Sequence, residues 1–292
     1  MKVPYIKFAD MKVTVIGLGL IGGSMAVDLK KRHFADQVDG VEAEALHASA
    51  AENMGLVDKI VTFEAGVATA DLIVLAIPVG TALELVVKVL DLLENNPSAV
   101  VIDVCSTKEK MVRAVAGHPH RGRYVATHPM AGTEYSGPWA AMSGLFDGRA
   151  CILCNESESD PDAVALVRRA YDVLNMRLIS MEAAQHDVHT AYVSHISHVT
   201  SFALALTVLE KERDEKHIFD LASGGFSSTV RLAKSSPDMW VPILTQNKDN
   251  VLQVMDTYLE KMNEIRTAIA DEDETAIRRL IEEANRIRRI LR

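Results

Sequence analysis

Cysteine is scarce in this chain of 292 residues, which has only Cys105, Cys151 and Cys154. So few thiols, odd in number, exclude a disulfide framework and suit a reducing cytoplasm. Cys151-Ile-Leu-Cys154 has the spacing of metal and redox pairs. It lies, however, in an apolar run that reads as a strand, where residues three apart point to opposite faces. No second such pair completes four ligands, so ordinary buried thiols are expected. An excess of positive charge is also lacking. With 31 basic against 40 acidic residues the formal charge is −9, which argues against nucleic acid or an anionic membrane as main partner. An anionic substrate must then be held by a local cationic site. No run approaches the roughly 20 apolar residues that span a bilayer. Residues 1–10, with Lys2 and Lys7, carry no apolar core of signal-peptide length and read as an N-terminal extension. Repeats, low-complexity tracts and long linkers are absent. These exclusions leave a cytoplasmic globular protein of one large or two ordinary domains.

The first half alternates strand and helix patterns. Apolar runs at Lys12–Gly17, Val38–Val41, Leu72–Ile77 and Ala99–Asp103 alternate with helical stretches such as Ile21–Arg32. Continuous apolar strands between helices indicate a doubly wound parallel sheet covered on both faces. Arg149–Leu153 and Arg177–Met181 add two strands around a helix at Pro161–Leu174, so the α/β domain is expected to span 1–181. The rest, 182–292, reads as all-α: one long helix over Glu182–Glu212, a second stretch after Gly224-Gly225, a third over Pro242–Ala270, and a last helix opened by Asp271–Glu274. In that last helix Ile277, Leu280, Ile281, Ala284, Ile287 and Leu291 recur at helical spacing and predict one buried stripe. The arginines Arg278, Arg279, Arg286, Arg288 and Arg289 interleave with Glu282 and Glu283, as on a solvated face.

The first strand ends in Gly17-x-Gly19-x-x-Gly22, with a helix after it, the context a dinucleotide fingerprint requires. Gly17 permits the tight turn, Gly19 lets backbone approach a pyrophosphate, and Gly22 lets helix and strand pack closely. The helix N-terminus at Leu20 and Ile21 offers N–H groups to the phosphates. Glu42 lies 20 residues after Gly22, where a carboxylate accepts ribose hydroxyls and repels a 2′-phosphate. No arginine follows it, which favours NAD over NADP. Ile77-Pro78, after a later apolar run, is placed by fold type beside the cofactor.

Further blocks carry polar chemistry. His128-Pro-Met-Ala-Gly-Thr133-Glu134 lies downstream of the fingerprint, and Ile102-Asp-Val-Cys-Ser106-Thr-Lys108 puts Ser106 just after an apolar strand. A neutral histidine suits proton acceptance because its ordinary pKa lies near neutrality. The long helix carries His186, His189, His195 and His198. At about 100° per residue His186 and His195 fall on opposite faces, so the four cannot converge on a metal, whereas His195 and His198 share a face. The remaining block is Gly224-Gly-Phe-Ser-Ser227-Thr-Val-Arg231.

These blocks together resemble the prephenate/arogenate dehydrogenases, and the resemblance runs from about Met11 to the C-terminus. It implies a Rossmann-type domain followed by a helical domain that builds a homodimer. It also implies NAD-dependent oxidative decarboxylation of prephenate to 4-hydroxyphenylpyruvate in tyrosine biosynthesis, with no metal. By match to the family's motifs, His128 accepts the proton of the ring hydroxyl and Ser106 shares that hydroxyl or orients the histidine. Thr133 and Glu134 belong to the substrate pocket, His198 meets the substrate's polar side, and His195 stands behind it or in the core. Arg231 binds a substrate carboxylate as a planar fork. The chain departs from several relatives at Ser227, where they carry lysine, so a lysine–glutamate gate with Glu134 does not transfer. Neither a fused mutase before Met11 nor a regulatory domain after the last helix is expected. Trp240 reads as helix packing. Arogenate dehydrogenase is the nearest alternative. The β-hydroxyacid dehydrogenases lack a matching lysine motif here, and an NAD-sensing protein without turnover would have no reason to keep His128, Ser106 and Arg231 together.

Overall fold

Short aliphatic runs build the frame of this protein, a computed structural model of which describes residues 10–133, 135–215 and 217–290. Among the described residues, eight strands form one sheet: β1 (Lys12–Ile16), β2 (Gln37–Val41), β3 (Lys59–Ile60), β4 (Leu72–Leu75), β5 (Val100–Asp103), β6 (Tyr124–Pro129), β7 (Ala150–Cys154) and β8 (Arg177–Met181). Their spatial order is β3-β2-β1-β4-β5-β6-β7-β8. Pairing is parallel as far as β6; β7 then runs antiparallel to β6, and β8 parallel to β7. Six helices intervene: α1 (Leu20–Lys31), α2 (Ala45–Asn53), α3 (Phe63–Thr69), α4 (Val79–Leu92), α5 (Glu109–Val115) and α6 (Pro161–Val173). Parallel pairing brings the carboxyl ends of β1–β6 to one edge, the edge at which such sheets bind ligands.

Side chains alternate across the sheet and feed two cores. Leu72 and Val74 of β4 join one layer with Val13, Val15, Val100 and Ile102, and Ile73 and Leu75 join the other with Ile16 and Val101. Cys151 and Cys154 divide between the same two layers, as their spacing on a strand predicts, and all three cysteines are buried free thiols.

In the connection between β6 and β7, residues 138–149 fold back over α1 as a strap. The Met142 N–H donates to Ser24 Oγ at 2.9 Å. Ser143 Oγ and the Gly144 N–H donate to the two oxygens of Asp28 at 2.7 and 2.9 Å. Asp28 is fully buried, and the strap supplies donors that its desolvated carboxylate requires.

After β8 the chain is helical. The long helix expected over Glu182–Glu212 is continuous but not uniform. It consists of α7 (Ala183–Thr190), a π turn at Ala191–His195, and α8 (Ile196–Asp214). The stretch Ala183–Arg213, 31 residues long, is also long and apolar enough by composition to cross a membrane, contrary to the expectation that no run approaches that length. The glycine pair opens only the short α9 (Gly224–Thr229), and α10 runs from Pro237 to Gln246. The third helix expected over Pro242–Ala270 is therefore two, broken at Asn247.

The chain divides into two compact units, 1–247 and 248–292. The second consists of α11 (Lys248–Ala270) and α12 (Glu274–Ala284), followed by a 3-10 turn at Asn285–Arg289. Asp273 caps α12 by accepting the Ala276 N–H at 2.9 Å. The stripe predicted to be buried on α12 is not buried in this chain: Ile281 is 57% and Ile287 51% exposed. Ile277 and Leu280 are half-buried and Ala284 is exposed, while Leu291 lies outside the described residues. A pair of helices has too little surface of its own to cover such a face.

Candidate active site

The glycine loop is a cradle shaped by the absence of Cβ atoms. Gly17 has φ +95°, and a Cβ there would collide with the carbonyl of Ala76 and the side chain of Ile77. A Cβ on Gly22 would collide with the Gly17 carbonyl, whereas one on Gly19 would meet open space. Gly17 and Gly22 thus have no room for a side chain, while the space beside Gly19 is open. α1 starts at Leu20 with no side-chain cap from Gly19, and the first N–H groups of a helix are those it leaves without an intrahelical partner. Glu42, just past β2, holds the loop in place: its Oε2 accepts the Leu18 N–H at 2.9 Å, and its Oε1 accepts Ala43 and Glu44 N–H at 2.9 and 3.2 Å. Ile77 is half-buried and Pro78 exposed, at the head of α4.

His128 occupies the penultimate position of β6 and is only 9% exposed. Its Nδ1 lies 2.8 Å from His186 Nε2. On the far side of that ring, His186 Nδ1 donates to Asp187 Oδ1 at 2.7 Å. Asp187 also accepts the Lys108 and Glu109 N–H groups, at 2.8 and 2.9 Å, from the start of α5. Sequence reasoning missed this chain of contacts. The π turn is the reason that His195 joins it. By admitting one extra residue, the turn brings His195 to about 80° from His186 instead of about 180°. Asn247 Nδ2 then touches both the Asp187 carbonyl at 2.7 Å and His195 Nδ1 at 3.1 Å. The expectation that His186 and His195 lie apart is therefore corrected. Among the described residues, no group of three or more His, Cys, Asp or Glu side chains has metal-site geometry.

Beneath His128 lies a buried ion pair that the sequence motifs did not reveal. Lys108 and Asp103 have fully buried side chains and touch directly, and Lys108 Nζ donates to the carbonyl of Thr127 at 2.8 Å. Tyr124 completes the carboxylate by donating to Asp103 Oδ1 at 2.6 Å. Burial works against the ammonium, but Asp103 and then Cys105 push its pKa up on balance. The His128 imidazole is pushed well below its ordinary pKa, first by burial and then by His186, Lys108 and His195. A neutral ring with a free acceptor nitrogen results.

Ser106 stands three residues past Asp103, whose register partner is Ala126, two before His128. The two candidates thus lie at the ends of neighbouring parallel strands, with no hydrogen bond between them among the described residues. Thr133 is half-buried, and its Oγ1 accepts the Tyr135 N–H at 3.3 Å. Glu134 lies outside the described residues. His198 is half-buried on α8, with its Nδ1 3.1 Å from the Ser194 carbonyl. Its pKa is lowered, first by burial, with Arg231 also acting to lower it. Arg231 opens an exposed 3-10 turn packed on α8, and Ser227 is exposed in α9. The pKa of His195 is lowered to about 4, first by burial and then in part by His186 and His198.

Comparison with known proteins bears directly on this arrangement. The family described as "Prephenate dehydrogenase, nucleotide-binding domain" matches residues 25–180, and "Prephenate dehydrogenase, dimerization domain" matches residues 182–283. The chain belongs to the prephenate dehydrogenase family. Its two family segments meet between β8 and α7, so the strand that carries His128 and the helix that carries His186 and Asp187 come from different segments. The prephenate dehydrogenase of Bacillus subtilis is 34% identical over 269 residues, covering 90% of this chain and 72% of the relative. Among solved structures, prephenate dehydrogenase from Aquifex aeolicus in complex with hydroxyphenyl propionate and NAD+ superposes with TM-score 0.88 at 27% identity, covering 98% of this chain and 100% of that one. Synechocystis arogenate dehydrogenase superposes with TM-score 0.74 at 27% identity, covering 95% and 99%.

Proposed function

We propose that the chain is an NAD-dependent prephenate dehydrogenase, a cytoplasmic homodimer whose nucleotide domain spans 1–181 and whose helical domain spans 182–292. The observation that carries this reading is the neutral, buried His128 at the carboxyl edge of the sheet, which the glycine cradle shares. In this reading Gly17, Gly19, Gly22, Leu20 and Ile21 would hold the pyrophosphate and Glu42 the ribose, and Ile77 and Pro78 would line the nicotinamide or adenine side. Bound there, NAD would supply the hydride acceptor for the ring carbon that bears the hydroxyl.

This chain's own residues handle the proton and the charges. His128 Nε2 takes the proton of the ring hydroxyl as the C–O bond becomes a carbonyl, with Ser106 sharing that hydroxyl. When the ring carboxylate leaves as carbon dioxide, its bonding pair passes through the ring to the oxygen, and His128 returns the proton there. No net proton is consumed, so a neutral imidazole suffices at the start and the end of the cycle. Arg231 pairs with a carboxylate, His198 meets the polar side chain, and Thr133 and Glu134 close the rim.

Uncovered apolar surface supports the dimer. Leu206 and Leu209 on α8 are 66% and 51% exposed, and in the second unit Leu259 and Ile269 on α11 are 53% and 60% exposed. Faces of this extent mark association sites, and a second copy covers them. The decisive experiment is NADH formation from prephenate and from arogenate, with NAD and then with NADP. Fast turnover of prephenate with NAD is expected. Turnover of arogenate alone would change the substrate, a choice left open by Ser227, and turnover of neither acid would overturn the reading.

A further inference from the structure

His128 has two ring nitrogens, and only one can accept a proton while the ring is neutral. Its Nδ1 faces His186 at 2.8 Å, while its Nε2 carries no hydrogen bond among the described residues. Which nitrogen is bare depends on the partners behind it. The Asp187 carboxylate can only accept, so the 2.7 Å contact with His186 Nδ1 requires the proton on that nitrogen. A neutral His186 then has a bare Nε2, which can only accept from His128 Nδ1–H. Each step fixes the next, and the bare nitrogen of His128 is Nε2.

We infer that Asp187, acting through His186, is a positioning residue that holds His128 in the Nδ1–H tautomer and so presents Nε2 as the proton acceptor. The inference rests on the proposed role of His128 as base. The same chain faces the imidazolium that forms when Nε2 takes the proton: the positive ring donates to His186, whose own donor ends on the Asp187 carboxylate. Asp187 takes the place that the orienting carboxylate holds in a catalytic triad.

The anchoring of Asp187 supports this assignment. Both of its oxygens accept backbone N–H groups from Lys108 and Glu109, so the carboxylate cannot rotate away. Lys108 is the keystone. Its backbone N–H holds the Asp187 end of the chain, and its ammonium donates to the carbonyl of Thr127, the residue before His128. One residue thus fixes both ends of the relay. Asn247, donating to the Asp187 carbonyl at 2.7 Å, ties the helix that carries the pair.

The test is a two-bond proton–nitrogen correlation spectrum of the full-length protein labelled with nitrogen-15 at histidine, near neutral pH. The His128 signal is identified by its loss in His128→Asn. The wild-type spectrum, which needs no folded variant, is expected to show His128 and His186 both protonated at Nδ1. An Nε2–H His128 would overturn the inference. In Asp187→Asn the amide can donate towards His186, and His128 is expected to shift towards Nε2–H, with kcat lower by about 10²–10⁴-fold and KM within about threefold. An unchanged tautomer in that variant would equally overturn it. If no cyclohexadiene acid is oxidised but the tautomers respond as stated, the proposed function fails and the positioning role stands. If prephenate is oxidised while His128 is Nε2–H, the proposed function stands and the positioning role fails.

Discussion

The imidazole of His198 stacks on the indole of Trp240, with ring centres 3.5 Å apart and planes 25° from parallel. His195, one helical turn earlier, meets the same indole edge-on at 5.8 Å. A single buried ring thus sets two histidines, one facing Arg231 and one behind His186. Trp240 Nε1 is buried with no hydrogen-bond partner among the described residues, so the indole contributes area and ring faces rather than a polar contact. Trp240→Ala is expected to lower stability by about 3–5 kcal/mol, and Trp240→Phe by clearly less. Denaturant titration of the three proteins checks this, and equal midpoints for alanine and tryptophan would refute it.

Removing the proposed base should act on the chemical step. His128→Asn is expected to lose about 10²–10⁴-fold in kcat while NAD binding, followed by tryptophan fluorescence or calorimetry, stays near wild type. Near-normal turnover would take His128 out of the mechanism.

The proposed carboxylate site predicts the opposite kinetic pattern. Arg231→Ala should mainly raise KM for the acid, by about tenfold or more, since one charge-assisted pair is lost. Steady-state kinetics over a range of substrate concentrations decides it, and an unchanged KM would place the carboxylate elsewhere.

The histidine cluster gives a pH dependence of defined sign. Burial is the first cause that lowers the pKa of His128, His186 and His195, and for His195 the fall is from 6.5 to about 4. Between those values the unfolded chain binds more protons than the folded one, so stability is full above about pH 6.5 and declines as pH falls towards 4. His195 alone accounts for a loss of about 3 kcal/mol across that window. Unfolding free energies measured at about pH 7.5 and about pH 5 should differ in this direction, and a flat profile would contradict the burial of neutral rings. The activity profile follows the same sign, because the base works unprotonated: its acid limb should lie below the ordinary histidine range.

The frame was largely legible because aliphatic strands buried on both faces write themselves as continuous runs, as in Leu72–Leu75 and Val100–Asp103. The strand that carries His128 was not, since after Tyr124, Val125 and Ala126 it turns polar at Thr127, and β3 is only Lys59–Ile60. That Gly17 and Gly22 must lack a side chain was legible, because the tight turn and the close packing of strand and helix depend on backbone sterics. The His128–His186–Asp187 chain was not, because it depends on a contact between strand and helix 58 residues apart. The π turn left no signal either: Ala191–His195 contains neither proline nor glycine, and helical periodicity assumes a constant turn. The stripe on α12 was correctly located as apolar, but its cover was misjudged, since a pattern shows which face is greasy and not what lies against it.

The strap over α1 makes the dinucleotide half of this sheet a poor interchangeable part. Rossmann halves recombine readily when their helices end at solvent, but here Asp28 is fully buried and accepts from Ser143 and Gly144, which lie beyond β6. A chimera that exchanged residues 11–100 for a half with an apolar residue at that position would strand two strap donors. One that exchanged the strap would take two donors from the buried carboxylate and leave it the 3.4 Å contact with Arg32. Lineages that swap cofactor modules must therefore carry both pieces together, or abandon both at once.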